Sequence, residues 1–502
     1  MIRNLEMSLK PFWMIGMGAL AGLLILAVLW LLLLLVQRRW AGTLLAVARE
    51  RVVLPVLVVA CGLALLAVSL TVSDWLGGRF YDQKLAALQS VLRLPAVGRL
   101  QFQLDVPAGE TDQRVALSIP DNELKSLLLQ SDQLLSVGIN VAPSEAITDQ
   151  QKADRLELLP GEPYRWSRGR EPSGPLAGPV DAIYLTNETG TAAQVTLDVT
   201  TQPVVPEARV IPYTAIGLVA FVVYYLLLQL LLPKIAAVAT TTGKEAVSQP
   251  LFFLTMAGGC VLLIGLVFTP YFTFGEDVKV YKDAGLQLIM ILTLVIAIWT
   301  ASVSLADEIE GRTALTVLSK PISRQQFVLG KYFGIVAPVL LQFVLLGTLF
   351  LLCISYKVVY DGRESGNFYV IWQDCFAETI HTVPGLVLAF METIVLAAIS
   401  VAISTRLPML ANLTICLAIY VVGHLVPLFV QSSVGEFTIV QFMGQLFATI
   451  LPVLENFNVY AAVAAGQDVP TSYLWWVAGY SAIYITIAML LALALFDDRD
   501  LA

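Results

Sequence analysis

The sequence predicts an α-helical polytopic membrane protein with about nine transmembrane helices and an extracytoplasmic, mainly-β, sandwich-like domain. Three observations carry this reading. Of 502 residues, 57% are hydrophobic and only 14% charged, with a mean hydropathy of +0.77, against about 25% charged in an average soluble chain. Several apolar runs reach the roughly 20 residues that span a hydrocarbon core about 30 Å thick. The acidic excess is local: segment 74–209 holds 18 Asp/Glu against 12 Lys/Arg, so it carries −6 of the net −8. No basic nucleic-acid face is present, so membrane lipid is expected as a partner and nucleic acid is not.

Hydropathy places the spans near 11–36, 52–73, 211–232, 251–272, 286–305, 333–355, 384–404, 408–430 and 472–496. Arg3 and Lys10 precede the run Pro11–Val36. That run is too long for a signal-peptide core and lacks a small-residue cleavage site, so it reads as a retained span. The most basic short loops are 37–51, with Arg38, Arg39, Arg49 and Arg51, and 306–331, with Arg312, Lys320, Arg324 and Lys331. Four spans separate them, so they share a face. The positive-inside rule makes it cytoplasmic, in a plasma or inner membrane, with 74–209 outside.

Within 74–209, Gln101–Val106 and Arg114–Ile119 alternate polar and apolar residues as half-buried strands do. Ala182–Thr186 and Gln194–Thr200 are two more strands, and Asn187-Glu188-Thr189-Gly190 between them reads as a hairpin turn. The Gly- and Pro-rich stretch 160–179 reads as a loop. Asn187-Glu188-Thr189 also matches a glycosylation acceptor, though a plain turn is the simpler reading. None of Cys61, Cys260, Cys353, Cys375 and Cys416 falls in this segment. The domain therefore has to fold on its apolar core, without a disulfide framework.

No phosphate-binding G-x-x-x-x-G-K-[ST] loop, hydrolase motif or dinucleotide fingerprint occurs. No Cys/His cluster has metal-ligand spacing, so neither catalytic residues nor a metal is expected. In the loop 431–471, Ile439, Phe442, Met443, Leu446, Ile450 and Leu454 recur at helical spacing opposite Thr438, Gln441, Gln445 and Thr449. Such a two-faced helix lies in the interface or re-enters the bilayer where protein shields it, and Pro452 ends or kinks it.

The loop 306–331 is the most informative segment. Asp307, Glu308 and Glu310 precede an amphipathic turn with Leu315 and Leu318, and Pro321 stops it. Ser323 and Gln326 have capping-box spacing for a new helix that runs into the span near Phe333. The pattern Asp307, Glu308, Glu310, Gly311, Thr313, Leu318, Ser319, Pro321, Ser323, Arg324, Gly330 and Lys331 resembles the cytoplasmic signature of type-2 ABC transporter permeases, with Arg312 inserted between Gly311 and Thr313. The resemblance covers about residues 250–502.

The resemblance implies a non-enzymatic membrane subunit of an ABC exporter. It would pair with a second permease subunit and with a separate ABC ATPase that carries the ATP and magnesium, no cofactor being expected on this chain. The loop would dock on that ATPase and pass its motion to the spans. The first three spans and the external domain are not part of the family pattern, so hydropathy and the resemblance together divide the chain into 1–73, two N-terminal helices with a basic cytoplasmic loop; 74–209, the external domain; 210–250, a third span and cytoplasmic linker; and 251–502, a six-helix permease core. From its chemistry alone, the loop could equally pack on its own chain. Within the spans, Glu392, Asn412 and His424 are translocation-path candidates. A carboxyl such as Glu392 costs about 2.5–3.5 kcal/mol at a membrane-helix centre, so it faces protein or water. It reads as a substrate or gating contact, or as an interhelical hydrogen bond that fixes packing. Asn412 and His424 carry the same two readings. A secondary transporter and a non-transporting scaffold are the alternative functions.

Overall fold

A computed structural model describes residues 2–76, 84–120, 122–143, 156–168, 176, 178–271, 273, 276–306, 322–366, 370–431 and 438–497. The chain opens with α1 (Ile2–Val36), α2 (Arg38–Ala48) and α3 (Val53–Leu76). A compact unit, Ser69–Tyr213, contains α4 (Lys84–Arg93) and eight strands. The strands are β1 (Arg99–Val106), β2 (Gln113–Ile119), β3 (Leu124–Ser131), β4 (Leu135–Ile139), β5 (Leu156–Leu158), β6 (Tyr164–Ser167), β7 (Val180–Thr186) and β8 (Ala193–Thr201). Then follow α5 (Val210–Leu231), α6 (Pro233–Ser248), α7 (Pro250–Val267), α8 (Asp277–Ala301), α9 (Arg324–Glu364), α10 (Trp372–Ser404), α11 (Met409–Gln431), α12 (Thr438–Ile450), α13 (Tyr460–Ala464) and α14 (Thr471–Asp497).

Among the described residues, nine helices are long and apolar enough to cross a membrane: α1, α3, α5, α7, α8, α9, α10, α11 and α14. Two of them outrun the predicted spans. α9 has 41 residues, about 60 Å at 1.5 Å per residue, twice the hydrocarbon thickness. α10 begins at Trp372 and carries Pro384 inside it. Hydropathy finds only the lipid-facing middle of such a helix; backbone hydrogen bonding continues through polar flanks that water or protein can solvate.

The strands form two four-stranded antiparallel sheets, ordered β1-β8-β3-β6 and β2-β7-β4-β5. Their inner faces enclose a core that includes Val106, Leu127, Leu129, Val137, Trp166, Ile183, Leu185, Val195 and Leu197, with no disulfide among these residues. The sandwich is thus present, with two differences in detail. β7 and β8 lie in different sheets, so the connection between them is a crossover rather than a hairpin. Buried Asn187 shapes it: Nδ2 shares its two hydrogens among the carbonyls of Val106, Pro107 and Thr191, and Oδ1 accepts from the Thr189 N–H and hydroxyl. An amide so engaged is no glycosylation acceptor. The stretch 160–179 is also not all loop, because Tyr164–Ser167 pairs with Ser126–Leu129 and buries Trp166.

In the helical unit, a large apolar core joins α8, α9, α10 and α14. The region 233–248, expected as a linker, is a helix packed closely on α9. A Cβ at Gly330 would lie 2.6 Å from Val238 Cβ, and one at Gly334 would lie 2.6 Å from Thr242 Cβ. Small residues let these backbones approach. Lys244 also reaches Glu50 at 2.9 Å.

Candidate coupling and intramembrane sites

Residues Asp307, Glu308, Glu310, Gly311, Thr313, Leu318, Ser319 and Pro321 of the loop lie outside the described residues. Both flanks are described. On the upstream side, α8 ends in a π-helical turn, Ser302–Ala306, a helix form that occurs mostly as single turns and often at functional sites. On the downstream side the expected capping box is present: Ser323 Oγ accepts from the Gln326 N–H at 3.2 Å, and Gln326 Oε1 accepts from the Ser323 N–H at 3.2 Å.

The remaining loop residues turn inward. Arg324 Nη1 donates to the Asp497 carbonyl at 2.8 Å, and its guanidinium lies 5.9 Å from the Phe496 ring centroid. It therefore neutralises the carbonyl end of α14, while Phe327 stacks on Phe496 with centroids 5.7 Å apart. Gly330 makes the close α6–α9 contact described above. Lys331 is buried, with Nζ 5.5 Å from the Phe327 ring. These three positions anchor the helix that leaves the loop.

Asn412 and His424 share α11 but belong to two different centres. Asn412 is fully buried and bridges three helices. Its Nδ2 lies 2.8 Å from Ser302 Oγ, 2.8 Å from Ser400 Oγ and 2.9 Å from Ser404 Oγ, and its Oδ1 accepts from Cys416 Sγ at 3.2 Å. Ser302 begins the π turn, so this centre clamps the base of the loop to α10 and α11. The serine spacing of four at Ser400 and Ser404 was the available sequence signal for it.

Glu392 and His424 meet nearer the middle of the helices. His424 Nε2 lies 3.5 Å from Glu392 Oε1, and His424 Nδ1 is 3.1 Å from the Tyr420 carbonyl. Glu392 is wholly buried, and neither of its oxygens has a hydrogen-bond partner among the described residues. The hydroxyl of Tyr460 is likewise buried without a partner.

Tyr460 arrives on the segment that follows α12. The amphipathic helix is Thr438–Ile450 and stops before Pro452, as its spacing suggests. Beyond it Leu454, Phe457 and Val463 are fully buried in the helical core. Gly423 allows the close fit, because a Cβ would meet Leu454 at 2.7 Å and the Pro452 carbonyl oxygen at 3.1 Å. Irregular backbone buried among apolar helices needs protein hydrogen-bond partners, and α14 supplies them. Tyr480 Oη accepts from the Val453 N–H at 2.7 Å, and Tyr484 and Tyr473 donate to the Leu451 and Asn456 carbonyls. Fully buried Lys282 pairs with Glu378 and donates to the Val463 carbonyl at 3.1 Å, which closes the C-terminal end of α13. Lys282 was not anticipated, because it lies in polar sequence just before the expected 286–305 span.

Together these features define a multi-pass helical membrane protein whose core takes in the segment after α12 and whose loop 307–321 is anchored at both ends. The sequence pattern described as ABC-2 family transporter protein matches residues 176–501. The chain belongs to this family and is a membrane permease component of an ABC transporter. The match begins well upstream of residue 250 and takes in β7, β8 and α5. No curated protein matches the chain.

Proposed function

We propose that the chain is the permease of an ABC exporter, has no nucleotide-binding site of its own, and is driven by a separate ATPase that docks on the loop 307–321. It works with a second permease subunit in an inner or plasma membrane, with the ATP and magnesium on the ATPase and with 74–209 outside. The observation that carries this reading is the way the loop is mounted. It leaves from a π turn clamped by Asn412 and returns into a capped helix fixed to α14 by Arg324 and to α6 by Gly330. A push on such a loop reaches α8, α9, α10, α11 and α14 together, because rigid helices transmit displacement as bodies. The acids Asp307, Glu308 and Glu310 would set docking register by charge complementarity.

The test is affinity purification of the chain with and without Glu308→Lys and Glu310→Lys. Recovery of an ATP-binding subunit that is lost on reversal supports the reading, and undiminished association after reversal counts against it. Cysteines placed between 100 and 200 should label from outside intact cells. Labelling only after lysis would overturn the orientation.

A further inference from the structure

The contact between Glu392 and His424 has an unbalanced donor count. A backbone carbonyl only accepts, so the 3.1 Å contact with the Tyr420 carbonyl places a proton on Nδ1 of His424. A neutral ring with Nδ1 protonated presents a bare lone pair at Nε2. That atom faces a Glu392 oxygen at 3.5 Å, and an ionised carboxylate is also purely an acceptor. Two acceptors would then face each other at a wholly buried carboxyl that no other described group reaches with a donor. An unpartnered buried charge costs several kcal/mol, and one proton between the two atoms removes the conflict.

We propose that Glu392 and His424 hold a single proton between them, so that α10 and α11 form a proton-binding site within the membrane. The proton adds to the carboxylate or to Nε2 without breaking another bond, and the pair is then neutral overall. Glu455 acts on Glu392 from the turn at 454–457, and Tyr420 on α11 and Tyr460 on α13 lie within reach of the Glu392 charge. From α8, Asp283 acts on Tyr460. From α9, Tyr332 donates to the Ile394 carbonyl two residues along α10 from Glu392. On α14, Tyr480 and Tyr484 are committed to the backbone at 453 and 451. Tyr420 and Tyr460 are left to answer a change at Glu392, and through Tyr460 the proton is linked to the seating of the segment that follows α12. The inference concerns the pair itself and does not depend on an ATPase partner or on the direction of transport.

The chain contains only two histidines, His381 and His424, so the site can be read directly. The full chain, labelled with nitrogen-15 histidine and reconstituted in lipid, is examined by solid-state NMR at neutral pH, with His381→Gln removing the second ring. A protonated Nδ1 together with an Nε2 resonance displaced from that of a bare ring nitrogen is expected, and Glu392→Gln should abolish the displacement. A bare Nε2 in the chain with Glu392 intact, or an Nε2 unmoved by Glu392→Gln, overturns the proposal. Should His381→Gln fail to fold, the wild-type spectrum has two rings, and Glu392→Gln assigns His424 by difference. Because the readout needs neither ATP nor partner, its failure is distinct from failure of the exporter reading.

Discussion

Replacing Asn412 by Leu removes the side chain that joins the π turn of α8 to α10 and α11, and the structure sets the size of the loss. Three serine oxygens surround one amide nitrogen, at 2.8, 2.8 and 2.9 Å, but an amide has only two hydrogens to give. Two interhelical hydrogen bonds are therefore lost. Such bonds in membranes average about 0.6 kcal/mol, with a maximum of about 1.7, so Asn412→Leu should cost about 1 kcal/mol and at most about 3. The same count makes a sharper statement about the serines. Removing Ser400 or Ser404 alone leaves two acceptors for two hydrogens, so either single Ala variant should be nearly silent. The double variant should lose one bond, a non-additive result expected of a shared network. The assay is unfolding of the purified chain in mixed micelles as the proportion of denaturing detergent rises. Single serine variants that each cost as much as Asn412→Leu would refute the shared-donor arrangement.

Gly330→Val should destabilise the chain by about 1–3 kcal/mol in the same assay through overpacking, because a Cβ there meets Val238 at 2.6 Å; Gly42→Ala on α2, where a Cβ meets nothing within 4 Å, should instead be harmless or stabilise by up to about 1 kcal/mol. Asn187→Ala should cost about 3 kcal/mol by removing up to four hydrogen bonds, two donated by Nδ2 among three carbonyls and two accepted by Oδ1, around a buried crossover, seen as faster hydrogen exchange at β1 and β8 of the full chain; unchanged exchange would contradict that role. The Asp198 carboxyl is held below its ordinary value by hydrogen bonds from Arg99 at 3.0 and 2.9 Å, with their opposite charges adding to the effect. A lowered folded value means that the pair's contribution is present above the unfolded value near 4 and fades as pH falls through the folded one. Arg99→Ala should move the Asp198 titration upward in carboxyl NMR, and an unmoved titration would dismiss the pairing.

The membrane class, the sandwich, the helix before Pro452 and the Ser323–Gln326 cap were legible because each depends on local pattern: apolar run length, alternation, helical spacing, or a three-residue offset. What escaped depends on distant partners. Asn187-Glu188-Thr189-Gly190 has the composition of a hairpin turn, and only the pairing of β7 with β2 and β4 makes it a crossover. The span limits at 333 and 384 fell short because hydropathy registers lipid exposure and not helical hydrogen bonding. Glu392, Asn412 and His424 stood out as polar residues in apolar helices. Their division into two centres depends on which neighbours α8, α10 and the segment after α12 bring, and spacing along α11 carries no record of that. Arg324, Gly330 and Lys331 match a docking signature in sequence, yet the structure gives each of them an intramolecular contact.

The central claim is that the loop 307–321 takes force from another polypeptide. A photo-crosslinking residue in place of Leu315, in the full chain within its native membrane, tests it most directly. An adduct with an ATP-binding chain, its yield changing with bound nucleotide, is the expected result. Adducts formed only with lipid or with the chain itself would contradict it.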